Sequence, residues 1–198
     1  RSGCSPRSAV LSAETIMINH AVWYRMTRSE HDGRRAWRAG GVAGLVAGVV
    51  MGLVLHGILA LMPTIGALVG IESVAAGWAV HLFNSTVFGL LFVAVFDHPF
   101  FDELRSDVGG CVSLGVVHSA ALGVLTGGLL LPVSIALAGA TSLPVPTLPL
   151  PGVTAGLEFG VVIAVAHLLY GTVLGGVFAG FTLEESVVAW LPGAPTDR

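Results

Sequence analysis

The predicted fold is all-α: a four-helix transmembrane bundle made of two similar helical hairpins. Three observations predict it. Four apolar stretches, at 40–62, 74–96, 112–137 and 158–181, contain neither Lys nor Arg. Seven of the nine basic residues, all Arg, stand before the first stretch. The second and fourth stretches share a motif built around a histidine.

The composition agrees with this. The 198 residues are 54% hydrophobic and only 11% charged, against roughly 25% charged in soluble domains. Mean hydropathy is +0.86. A span needs about 20 apolar residues at ~1.5 Å each to cross a hydrocarbon core of about 30 Å. Four spans therefore leave no length for a soluble catalytic domain.

Residues 1–39 read as a cytoplasmic, Arg-rich N-terminal arm. They hold no apolar core, so no secretory signal is expected among them, and Met26 is a natural start for a short basic arm. Arg25, Arg28, Arg34, Arg35 and Arg38 retain this arm in the cytoplasm by the positive-inside rule. The cluster is a topology signal, and no nucleic-acid partner is expected. Span one, 40–62, carries Gly44, Gly48 and Gly52 at every fourth position. The loop at 63–73 has no basic residue and faces outward. Span two, 74–96, is followed by a cytoplasmic loop holding Asp97, Asp102, Glu103, Arg105 and Asp107.

Span three, 112–137, repeats the small-residue stripe with Gly115, Ser119, Gly123 and Gly127. The outer loop that follows, 138–157, contains Leu143-Pro-Val-Pro-Thr-Leu-Pro-Leu-Pro151. Alternating prolines favour a stiff, extended cap over the bundle. Span four, 158–181, is followed by a short cytoplasmic interfacial tail, 182–198. Thr182 and Glu185 have capping-box spacing there. Cys4 and Cys111, the two cysteines, both fall on the reducing side, so no disulfide is expected.

His81-Leu-Phe-Asn-Ser-Thr-Val-Phe-Gly-Leu-Leu-Phe92 aligns with His167-Leu-Leu-Tyr-Gly-Thr-Val-Leu-Gly-Gly-Val-Phe178. The identities are His81/His167, Leu82/Leu168, Thr86/Thr172, Val87/Val173, Gly89/Gly175 and Phe92/Phe178. A two-span unit used twice keeps its orientation, so the repeat is parallel. Lipid gives helices no hydrophobic reason to associate, and Gly at every fourth residue permits close backbone packing instead. The expected packing residues are Gly44, Gly48, Gly52, Gly115, Ser119, Gly123, Gly127, Gly171 and Gly175. Spans one and three are expected to form the central pair.

Each span contains one histidine: His56, His81, His118 and His167. The first reading is structural, with each imidazole hydrogen-bonded to a backbone carbonyl or to Ser85, Thr86, Tyr170 or Thr172. In the alternative, His81 and His167 are axial ligands of a b-type haem, with His56 joining a metal site or relaying protons. Asn84 is the strongly polar amide within a span and is expected to bond across an interface. Glu72 and Glu158 read as acids at helix starts.

The chain has no P-loop, Gly-x-Ser-x-Gly, Cys-x-x-Cys or His-Glu-x-x-His. No enzyme activity is expected. The leading expectation is a multi-pass cell-membrane protein without a cofactor, acting in packing or assembly within the bilayer as a homo-oligomer or with a membrane-protein partner. A haem or metal carrier and a small oligomeric transporter or channel are the alternatives.

Gly77-Trp-Ala-Val-His-Leu-Phe-Asn-Ser-Thr-Val-Phe-Gly89, the Pro-rich loop and His167-Leu-Leu-Tyr-Gly-Thr-Val-Leu-Gly175 together resemble a set of small haloarchaeal four-span membrane proteins. Their function is unassigned, although they often carry the label "histidine kinase". The resemblance covers about residues 38–182. It implies the four-span fold and gives no support for kinase activity, since the chain shows neither nucleotide-binding glycine boxes nor a phosphoacceptor domain.

Overall fold

The computed structural model describes the backbone of residues 6–130, 133 and 157–183, and within these the side chains of 33–130, 133 and 159–183. The Pro-rich segment, Cys4, the Glu158 side chain and the tail beyond 183 lie outside the described residues. All regular structure within them is helical. Helix α1 spans Pro6–Leu59, α2 Met62–Ala67 and α3 Val74–Phe96. Helix α4 begins at Val108, is α-helical to Leu122, and widens into π-helical turns over Gly123–Leu130. Helix α5 spans Leu157–Thr182.

Four helical stretches are long and apolar enough to cross a membrane: Gly33–Leu59, Val74–Phe96, Val108–Leu130 and Phe159–Thr182. They expose many large apolar side chains, including Leu53, Phe83, Val117 and Val161. Such an exterior suits lipid, where helices satisfy their own backbone groups.

Side-chain caps set several of the boundaries. Ser73 accepts the Ala76 N–H at 3.1 Å and starts α3. Asp107 accepts the Gly110 N–H at 2.9 Å and starts α4 four residues before the expected position. The expected loop at 63–73 contains most of α2, with Pro63 in its first turn, where a missing N–H costs nothing. Thr182 is not a free N-cap. It closes α5, and its hydroxyl donates to the Phe178 carbonyl at 2.9 Å.

Helix α1 ends through Ala60, whose φ of +48° lies in the left-handed region, and the Leu61 N–H donates to the Leu55 carbonyl at 3.1 Å. This position ordinarily belongs to glycine, because a Cβ is strained there. Ala60→Gly is expected to stabilise the fold by about 1 kcal/mol. The gain would appear as a higher unfolding midpoint in detergent, whereas a lower midpoint would mean the turn holds no strain.

Helix α1 packs along both α3 and α5, and α4 packs along α5. Helices α3 and α4 barely touch, and α1 and α4 share no substantial contact. The expected central pairing of spans one and three is therefore incorrect. The glycine stripes face their own hairpin partners instead. A Cβ built on Gly44 would lie 2.5 Å from the Ser85 carbonyl oxygen, and one on Gly115 would lie 2.9 Å from the Gly175 nitrogen. A second stripe on α1, Ala39, Ala43 and Ala47, is buried in one core with Ala166, Tyr170, Leu174 and Phe178 of α5.

The 97–107 turn lies at the same end of the bundle as Arg34, Arg35 and Arg38. Two turns of 3-10 helix, Pro99–Phe101 and Leu104–Ser106, shape it. Arg105 ties it together, reaching Asp97 and Asp102, each at 2.6 Å. Burial acts to lower the Arg105 pKa, but the Asp102 and Asp97 carboxylates reverse this and hold it above the ordinary value. Cys111, buried beneath this turn, is close to the Arg105 carbonyl at 3.6 Å.

Candidate functional site

The histidines occupy three different settings. His118 lies toward the arginine-rich end and donates from Nε2 to the Phe88 carbonyl at 3.1 Å. Its ring packs edge-on against Phe92 and Phe96, with centroids at 5.6 and 5.9 Å. This is the main bridge between α3 and α4. Beyond it, toward α2, the two helices part.

A cavity of about 400 Å³ fills the space between them. Helix α3 contributes Val80, His81, Asn84, Ser85 and Phe88, and α4 contributes Leu122, Thr126, Gly127 and Leu130. Behind them stand Met51 and Leu55 of α1, and Ile163, His167 and Tyr170 of α5. Leu61, Ile65 and Leu68, in and around α2, close the end. Among the described residues no acidic residue, lysine or arginine lines the cavity.

His81 and His167 are each 8% exposed and border this one cavity. A carbonyl oxygen can only accept, so the ring nitrogen facing it carries the proton. His81 accordingly donates from Nε2 to the Gly48 carbonyl at 2.9 Å. That carbonyl is reachable because Gly48 and Gly52 hold α1 close to α3: a Cβ on Gly52 would meet Trp78 at 2.5 Å and the His81 ring at 3.0 Å. His167 donates from Nδ1 to the Ile163 carbonyl at 2.8 Å, and its Nε2 faces the Thr126 hydroxyl at 3.3 Å. The same hydroxyl faces the Leu122 carbonyl at 2.7 Å and can donate to only one of the two at a time.

His56 is exposed and reaches the cavity only indirectly. Its ring centroid is 6.1 Å from Trp78, which is 6.2 Å from His81. Among the described residues no group of three potential metal ligands comes together.

Three of the four side chains expected to serve the histidines bond elsewhere. Thr86 donates to Leu82, and Thr172 to Leu168, each one turn back on its own helix. The Tyr170 hydroxyl donates to the Ser85 carbonyl at 2.7 Å, linking α5 to α3. Thr126, the partner of His167, was not singled out by its sequence context, since nothing in a Leu-Thr-Gly-Gly string points to one facing helix. Asn84 is exposed at the cavity and makes no hydrogen bond among the described residues.

The packing residues divide by helix pair. Gly44, Gly48 and Gly52 face α3, while Gly115, Ser119, Gly171 and Gly175 form the α4–α5 crossing. Gly123 and Gly127 abut His167 and Ile163. No family model matches the chain, and no curated protein or solved structure matches it.

Proposed function

We propose that this is a non-enzymatic integral protein of the cell membrane, built from two parallel copies of a two-span hairpin, with a packing and assembly role in the bilayer. One observation carries the reading: the two hairpins close through corresponding residues. Gly44 meets Ser85 and Gly89, and Gly115 meets Gly171 and Gly175. A Cβ on Gly89 would strike the Gly40 carbonyl, and one on Gly175 the Cys111 carbonyl. Gly52 lies against His81 and Gly123 against His167. In the motif alignment Ser85 pairs with Gly171 and Gly89 with Gly175, so contacts and sequence support the same duplication.

Three further features support this reading. His81, His118 and His167 each have a backbone carbonyl partner, which suits structural histidines. Arg34, Arg35, Arg38 and Arg105 all lie at one end, and the positive-inside rule makes that end cytoplasmic, together with both termini. The resemblance to haloarchaeal four-span proteins carries the same fold.

A second reading, a haem or metal held between His81 and His167, is favoured by their sharing a cavity. Absorption spectroscopy and elemental analysis of protein purified from its native membrane distinguish the two. The structural reading expects a featureless visible spectrum and no stoichiometric metal. His81→Ala with His167→Ala should then cost about 1–2 kcal/mol, the scale of two hydrogen bonds within a membrane. A Soret band that disappears in the double variant would establish the haem reading instead. Ile71→Cys should react with an impermeant maleimide outside intact cells, while Phe100→Cys, exposed in the 97–107 turn, should not. The reverse result would invert the topology.

A further inference from the structure

We propose that the cavity between α3 and α4 is a binding site for a neutral, lipid-soluble molecule with a hydroxyl head, entered sideways from the bilayer. The inference rests on the four-span reading above but not on the absence of a cofactor.

The first argument is shape. The hairpin correspondence makes the α3–α4 contact the counterpart of the α1–α5 contact. The latter is closed along its length, and the former is open. The difference has a local cause. His118 stands where α1 has the fully buried Ala47, and Phe88 where α5 has the fully buried Leu174. An imidazole on the Phe88 carbonyl, packed against Phe92 and Phe96, wedges apart two helices that an alanine would let meet. Past the wedge the gap widens into the cavity, and no helix among the described residues bridges α3 and α4 there. Its volume suits a small molecule and is too small for another helix.

The second argument is hydrogen-bond supply. The lining is mostly apolar and, among the described residues, carries no acidic residue, lysine or arginine, so a charged head would be desolvated without compensation. The protein's own donors are largely spent on backbone carbonyls: His81 Nε2 on Gly48, His167 Nδ1 on Ile163 and the Tyr170 hydroxyl on Ser85. The neutral His81 ring is left with an acceptor, Nδ1, that has no partner among the described residues and is not sealed off. One turn along α3, on the same wall of the cavity, Asn84 offers an amide without a partner among the described residues. Polar groups left unpaired at membrane depth are costly. A hydroxyl satisfies both at once, donating to an imidazole nitrogen and accepting from the Asn84 amide. A carbonyl or an ether would leave His81 unserved.

Trp78, beside His81, provides the readout. The full chain in lipid nanodiscs is titrated with a brominated long-chain alcohol, and quenching is assigned to Trp78 by its loss in Trp78→Phe. Saturable quenching is expected. The methyl ether of the same probe, and the alcohol with Asn84→Leu, should each bind about tenfold more weakly, the scale of one hydrogen bond in a desolvated site. A quinol that competes with the probe would identify a phenolic head as the natural form of the hydroxyl, and competition by an unbrominated prenyl alcohol alone an aliphatic one; either supports the site. Equal quenching by alcohol and ether, or non-saturable quenching, would mean simple partitioning and would overturn the proposal. If Asn84→Leu does not fold, the comparison of alcohol and ether on the unsubstituted chain decides alone. A haem in the cavity would instead appear as a Soret band, so that failure can be told apart.

Discussion

Gly89→Val and Gly175→Val are each expected to open a hairpin and to be strongly destabilising. At Gly89 an added Cβ would overlap the Gly40 carbonyl and lie 2.7 Å from the Gly44 Cα and 2.9 Å from the Gly44 nitrogen. At Gly175 it would overlap the Cys111 carbonyl and lie 2.6 Å from the Val112 Cα. These obstacles are backbone atoms, so no rotamer change relieves them and the helices must separate. Separation loses the dispersion contacts along the whole crossing, and lipid supplies no hydrophobic compensation. The cost should reach or exceed about 3 kcal/mol, the upper part of the range for overpacked cores. Gly57→Ala is the control, since no described atom lies within 4 Å of its Cβ position. It should change stability by less than about 0.5 kcal/mol. Unfolding in mixed detergent micelles measures all three, and equal midpoints would refute the close-crossing account.

Phe92→Ala is expected to cost about 2–3 kcal/mol. Phe92 is fully buried, and its ring meets those of Phe96 and Phe178 at 5.2 Å each and His118 at 5.6 Å. In a water-soluble core its removal would cost roughly 3–5 kcal/mol, combining transfer and cavity terms. Here the separated helices already lie in lipid, so the transfer term falls away and lost packing remains. Phe92 also supports one face of His118, so the variant should loosen the α3–α4 bridge as well. The predicted signature is a lower unfolding midpoint with faster hydrogen exchange at the arginine-rich end of α3. Exchange confined to the opposite end would contradict it.

Much of this architecture was legible in the residues. The second span was expected at 74–96 and is Val74–Phe96; the fourth was expected at 158–181 and lies within Leu157–Thr182. Hydropathy locates a span well when the residues flanking it are polar or break the helix. It located the third span's start poorly, because Asp107 caps a helix whose first turn, Val108-Gly-Gly-Cys111, is not distinctively apolar. Helix α2 was signalled by Pro63 in its first turn, but six residues are too few for a periodicity to show. Which spans pair could not be read, because a glycine stripe marks a close face without saying what approaches it. The cavity was hidden for a related reason. It depends on how far α3 and α4 stand apart, which neither span's residues state alone.

The Arg35 Nε donates to the Phe181 carbonyl at 2.8 Å, across 146 positions of sequence. The entry to the first span and the exit from the last are therefore neighbours at the same end of the bundle as the 97–107 turn. Chain order is then largely incidental to the architecture. A gene cut within that turn, with position 33 joined to position 183 through a short linker, would encode the hairpins in reversed order, and the circularly permuted product should assemble the same bundle.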